Sequence, residues 1–222
     1  MSKKPTIFIC IEGIDGAGKN LQSNLLRDHL AGMGHSALLI DFPQYDSFFG
    51  KEIGAYLSSK GPVDANAVDI KSMSLWYAID RWKTLSEIDT GQYEYIIFNR
   101  YTISNAVYQA SRIPESARAE YVDWLFELEY SQLSLPVPDI CIFLDVPSKI
   151  GAELNNQKGE RCYLDGKKDV YENNMTMQES VRNLYLQMTS TMDNIITINC
   201  VRNDKLLPPM EILNKILYEL KI

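Results

Sequence analysis

Basic charge, cysteine, histidine and long apolar runs are all scarce in this 222-residue sequence. Lysine and arginine number 22 against 29 acidic residues, for a formal net charge of −7. A protein that grips duplex nucleic acid without regard to sequence needs a basic face, so no nucleic-acid partner is expected. The 4 cysteines, Cys10, Cys141, Cys162 and Cys200, show no paired metal-ligand spacing, so a zinc site is not expected either. Cys10, Cys141 and Cys200 sit in apolar runs and read as small core residues. No disulfide pattern is present, which agrees with a reducing compartment. The 2 histidines, His29 and His35, flank one helix end, and nothing places them near a site. No apolar run approaches the roughly 20 residues of a membrane span. The run behind Lys3 and Lys4 stops at Glu12, too short and too acidic for a secretory signal. A cytoplasmic protein without a membrane partner is the expectation. Repeats, low-complexity tracts and Pro/Gly/Ser linkers are missing too, so residues 1–222 are expected to form one domain.

What is present is a chain that is 45% hydrophobic and 23% charged, the balance of a globular protein. Five short runs read as strands: Thr6–Ile11, Ala37–Asp41, Tyr93–Asn99, Ile140–Asp145 and Asn194–Asn199. Most are apolar throughout, the pattern of strands buried on both faces of a parallel sheet. Helical periodicity fills Lys19–Met33, Val68–Ile88, Ala117–Leu133, Glu172–Met192 and Pro209–Leu220. Alternating β and α elements predict an α/β fold in three layers, a five-stranded parallel sheet flanked by helices. The segment Asn155–Asp169 differs: it is polar, with Lys158, Arg161, Lys167 and Lys168. A loop this long inside a compact domain is usually functional or disordered.

The strongest motif is Gly13-Ile14-Asp15-Gly16-Ala17-Gly18-Lys19-Asn20, which fits G-x-x-x-x-G-K between a buried strand and a helix start. Glycines let the backbone curl round a phosphate with its N–H groups inward. The helix N-terminus adds partial positive charge, and Lys19 reaches the β- and γ-phosphates. Lys19 is expected at a surface loop, where its loss removes charge and little packing. The residue after the lysine is usually Ser or Thr, whose hydroxyl binds Mg²⁺. Here it is Asn20, whose amide oxygen is a possible Mg²⁺ ligand.

Several further blocks follow in order: Asp41-Phe42-Pro43-Gln44-Tyr45, Leu75-Trp76-Tyr77-Ala78-Ile79-Asp80-Arg81-Trp82, Phe98-Asn99-Arg100-Tyr101-Thr102-Ile103-Ser104-Asn105, Pro138-Asp139-Ile140 through Pro147, and Asp169-Val170-Tyr171-Glu172-Asn173. With the phosphate loop, this ordered set resembles the thymidylate (dTMP) kinases, P-loop nucleoside monophosphate kinases. The resemblance implies transfer of the γ-phosphate of MgATP to dTMP, giving dTDP, by a homodimer. Two other readings stay beside it: a nucleotide-binding protein of the same fold with weak or lost activity, and a related deoxynucleoside monophosphate kinase with another base preference.

Tyr77 and Arg81 lie four apart on a predicted helix and share a face. A flat ring beside a guanidinium suits a nucleobase; the alternative is a core tyrosine with a solvated arginine. The resemblance implies that Tyr77 stacks on thymine and Arg81 bonds a base carbonyl. Arg100 stands at a strand's carboxyl end, where ligands of open α/β sheets gather, and the resemblance makes it the clamp between acceptor and γ-phosphate. It also implies that Ser104 and Asn105 bond the base, that Tyr108 crowds the 2′ position, and that Phe42, Gln44 and Tyr171 complete the dTMP site. The resemblance further implies a lid at about 155–170, and Lys19, Arg100 and Asp15, with Arg161 and Lys168 of that lid, form the expected catalytic set. Gly13, Ile14, Asp15, Gly16, Ala17, Gly18, Lys19 and Asn20 are expected on the ATP phosphates. Asn20, Asn99 and Gln44 depart from the family pattern of Ser/Thr, Asp and Arg. Restoring a carboxylate at position 99 is expected to improve metal placement and raise kcat.

Overall fold

The computed structural model describes residues 5–58, 65–156 and 174–222. Five strands form the expected parallel sheet: β1 (Ile7–Glu12), β2 (Ala37–Asp41), β3 (Tyr95–Asn99), β4 (Ile140–Asp145) and β5 (Ile195–Asn199). Their order across the sheet is β2-β3-β1-β4-β5, and each neighbouring pair is parallel. Ile9, Ile11, Ile96, Ile97, Phe98, Ile142, Phe143 and Leu144 are all fully or almost fully buried. That explains the continuous apolar runs: helices cover both faces of the central strands, so their middle positions have no solvent side. Because β1 pairs with β3 on one side and β4 on the other, the strand order reverses at β1. The carboxyl end of β1 is therefore a topological switch point, where a ligand crevice opens.

The helices are α1 (Lys19–Gly32), α2 (Phe48–Leu57), α3 (Ile70–Ser86), α4 (Thr102–Ala110), α5 (Glu115–Phe126), α6 (Ser148–Asn156), α7 (Met175–Thr189) and α8 (Pro209–Leu220). Side-chain caps start several of them. Ser47 accepts from Gly50 N–H, Asp69 from Lys71 and Ser72 N–H, and Asn174 from Met177 N–H.

Four features depart from the sequence expectation. The periodic run Ala117–Leu133 is not one helix: α5 stops at Phe126 and a π-helical turn, Glu127–Gln132, continues it. Helix α2 was not anticipated, because Gly50 and Gly54 lower its propensity. It forms through packing, with Ile53 and Leu57 in the core and Gly50 against the backbone of Gln44. Helix α6 occupies the start of the segment read as loop, reaching Asn156. A small antiparallel hairpin, β6 (Val201–Arg202) with β7 (Lys205–Leu206), joins β5 to α8. No helix among the described residues is long and apolar enough to cross a membrane.

Candidate active site

The phosphate loop joins β1 to α1 at the switch point. Gly16 and Gly18 have φ of 82° and 87°, the left-handed region that glycine enters without a Cβ penalty. Gly16 also lies against α6: a Cβ there would come 1.9 Å from Gly151 O. Lys19 is only 7% exposed, contrary to the expectation of a surface position. Its Nζ donates to Gly13 O at 3.0 Å and Ile14 O at 2.7 Å, so the loop folds back around its own lysine. Its removal therefore costs buried hydrogen bonds as well as charge. Asn20 is exposed, and its Oδ1 accepts from Asn24 Nδ2 at 2.7 Å, one helical turn on.

Asp15 is the hub beside this loop. Its carboxylate accepts from Arg100 Nη2, from Tyr108 Oη at 3.0 Å and from Gln178 Nε2 at 2.8 Å. Its backbone N–H donates to Gln178 Oε1 at 3.0 Å. Gln178, on α7, thus grips both the side chain and the main chain of Asp15. No sequence signal marks it, since a glutamine on a helix of mixed polarity is unexceptional.

Arg100 follows β3 with φ of 66°, and its N–H bonds Ile11 O at 3.0 Å. That left-handed turn costs a non-glycine residue free energy, and the neighbouring elements hold it. The guanidinium lies over the Tyr108 ring, 5.3 Å from its centroid, and Nη1 donates to Ser104 Oγ. Burial opposes its charge, yet Tyr108 and Asp15 beside it hold its pKa well above the ordinary value. Glu12, buried at the end of β1, accepts from the N–H groups of Tyr101 and Ser104 at 2.8 and 3.2 Å. It also accepts from Ser104 Oγ and from Tyr185 Oη at 2.8 Å. A carboxylate of the central strand thus satisfies N–H groups at the start of α4 that helix geometry leaves open. It fixes where Arg100 and Ser104 stand.

A cavity opens from Asp15 and Arg100 towards α3. Phe42, Pro43, Tyr45 and Leu57 line it, together with Tyr77 and Arg81 of α3 and with Tyr101, Ser104, Asn105 and Tyr108. Of the expected acceptor residues, Phe42, Tyr77, Arg81, Arg100, Ser104, Asn105 and Tyr108 meet there. Gln44 does not line it. Its Nε2 folds back onto Asp41 O, and its N–H is held at 2.8 Å by Asp80, which also accepts from Ser47 Oγ. Arg161, Lys168 and Tyr171 lie outside the described residues, as does most of the expected lid.

One site arginine and one asparagine have partners that the sequence did not announce. Arg81 is not a solvated arginine: it is 2% exposed and forms a two-bond ion pair with Glu129, which is fully buried. Burial works against its charge, but Glu129 raises its pKa overall. Glu129 stands four residues after buried Leu125, itself four after buried Tyr121. A carboxylate on an apolar stripe at that spacing was the available signal. Asn99 Nδ2 donates to Asp41 Oδ1 at 2.6 Å across the β2–β3 register. This pairing weighs against the expectation that a carboxylate at 99 helps: Asp41 already stands opposite, and a second carboxylate would replace a hydrogen bond with repulsion.

Sheet order, phosphate loop and adjoining cavity define a phosphate-loop nucleotide kinase. The family model for thymidylate kinase matches residues 11–207. The chain is 28% identical to thymidylate kinase of Mycobacterium tuberculosis over 83% of this chain and 86% of that protein. It is 30% identical to that of Schizosaccharomyces pombe (79% and 78%), and 26% identical to that of Homo sapiens (87% and 82%). A solved structure of thymidylate kinase from Candida albicans superposes with a TM-score of 0.73 at 22% identity, covering 97% of this chain and 91% of that one. The chain belongs to the thymidylate kinase family, and its function is that of a dTMP kinase, an enzyme of nucleotide phosphoryl transfer.

Proposed function

We propose that this chain transfers the γ-phosphate of ATP, accompanied by Mg²⁺, to the 5′-phosphate of dTMP, and that the cavity is the dTMP site. The observation that carries the reading is that one cavity is lined both by Asp15 and Arg100, beside the phosphate loop, and by Tyr77, Arg81 and Asn105. A nucleoside monophosphate with its phosphate towards Arg100 puts its base between Tyr77 and Arg81.

The acceptor oxygen attacks the γ-phosphorus in line, and the bond to the β,γ-bridging oxygen breaks to release ADP. Such transfer depends on positioning and charge stabilisation rather than on covalent intermediates. Loop N–H groups and Lys19 hold the donor phosphates, with the ammonium exchanging its loop carbonyls for phosphate oxygens. Arg100, oriented by Asp15 and by the Tyr108 ring, spans acceptor and transferred group. Arg161 and Lys168 are assigned to the closing lid by the resemblance, and so is Tyr171 to the acceptor site.

Among the described residues no group of three or more His, Cys, Asp or Glu converges to hold a metal ion. Mg²⁺ is commonly carried largely by substrate phosphates and water; Asn20, exposed at the usual ligand position, would be its protein residue, and the ion would neutralise charge on the β- and γ-oxygens. A homodimer and a cytoplasmic location belong to the same reading and rest on the resemblance. The test is ADP release with ATP and Mg²⁺ over a panel of nucleoside monophosphates. Turnover with dTMP above all others is expected; a different preferred base reassigns the acceptor.

A further inference from the structure

Glu129 lies behind the cavity wall rather than in it, and each of its contacts is a donor. Oε2 accepts from Arg81 Nε at 2.7 Å and Thr102 Oγ1 at 2.8 Å. Oε1 accepts from Arg81 Nη2 and from Asn105 Nδ2 at 3.1 Å. Both carboxylate oxygens are thus filled. The π-helical turn around it is a backbone form frequently found at functional sites. We propose that Glu129 is a positioning residue that sets the base preference of the cavity, by fixing Arg81 as a donor and Asn105 as an acceptor. The proposal rests on the cavity being the dTMP site.

The chemistry at Asn105 carries the argument. Its Nδ2 faces Glu129 Oε1 and, at 3.2 Å, Ser74 O. A carboxylate and a backbone carbonyl only accept, so the amide has one orientation. Its Oδ1 is turned away from both, is buried, and has no hydrogen-bond partner. An orphaned buried acceptor costs free energy unless a ligand satisfies it. Beside it, Arg81 has Nε and Nη2 tied to Glu129, which leaves Nη1 for a ligand. Arg81 and Asn105 both line the cavity. A donor next to an acceptor matches a base edge that presents a carbonyl next to an N–H, as thymine does with O4 and N3–H. Cytosine presents an amino group and a bare ring nitrogen, and meets like with like at both points.

Replacing Glu129 by glutamine keeps the shape and introduces an N–H₂. Whichever way that amide lies, one of the two Arg81 donors meets another donor. When the N–H₂ faces position 105, Asn105 is also free to turn. The measurement is kcat/KM for dTMP divided by kcat/KM for dCMP, a ratio that the folded fraction does not affect. A purely structural role would therefore leave it unmoved. For Glu129→Gln the ratio is expected to fall by about tenfold, since rejection here rests on hydrogen bonding. KM for dTMP should rise while KM for ATP holds.

Should that variant not fold, Thr102→Val decides. It is isosteric, does not line the cavity, and removes the hydroxyl that holds the Glu129 carboxylate and also meets the Tyr130 side chain, which is not in the cavity lining; a fall of about threefold is expected. A ratio unchanged from wild type in the deciding variant overturns the proposal. Wild-type protein that does not turn over dTMP would instead overturn the reading on which it rests.

Discussion

Replacing Arg81 with alanine tests the site and the fold together. Side-chain exposure is 3% for Arg81 and 0% for Glu129, so solvent does not soften the loss. Glu129 would keep Thr102 and Asn105 but lose both charged bonds. Breaking a buried pair in this way costs about 3–5 kcal/mol. For a chain of this size that is a fall in Tm of roughly 6–20 °C. Urea unfolding of wild type and variant at pH 7 measures that gap. Replacing both partners, Arg81→Met with Glu129→Leu, should recover at least half of the lost stability, because no buried charge remains. Neither protein should recover dTMP affinity, and KM for dTMP should rise far more than KM for ATP. An Arg81→Ala variant within about 1 kcal/mol of wild type at pH 7 would refute the buried-pair argument.

Lys19→Ala should abolish phosphoryl transfer and also lower the unfolding free energy by about 1.5–3 kcal/mol, through the two bonds to Gly13 and Ile14; near-normal turnover in a folded variant would sink the phosphate-loop mechanism. Asn99→Asp should destabilise the protein by about 1 kcal/mol and leave kcat unchanged or lower, because Asp41 faces it; a magnesium titration in which the variant turns over faster would restore the opposite view. Tyr108→Phe removes the bond to Asp15 and should raise KM for dTMP several-fold while the protein stays folded, as circular dichroism and steady-state kinetics would show. Cys10, Cys141 and Cys200 are buried, and burial pushes the Cys200 thiol up to about 12. A thiol reagent at pH 8 should leave these three unmodified until urea unfolds the chain, and fast labelling of any of them in the native protein would contradict the packing.

The sequence by itself determined the layers and the phosphate loop. Five apolar runs became the five strands within two residues at either end, since a strand buried on both faces leaves no polar position to blur it. The loop was legible because its function needs glycines and a lysine at set spacing, a local demand. The four-residue spacing of Tyr77 and Arg81 likewise put them on one cavity wall. Tertiary structure decided what those residues touch. Glu129 meets Arg81 across 48 residues, Gln178 meets Asp15 across 163, and Asp41 meets Asn99 across 58. Each pairing is made by strand order and helix packing, which local periodicity does not encode. Lys19 was misplaced for the same reason: its burial follows from the loop closing on its own carbonyls. Helix α2 was hidden because Gly50, unfavourable in an isolated helix, is there to let the backbone of Gln44 approach. Residue types announced the chemistry, and long-range contacts set the orientation of each group that performs it.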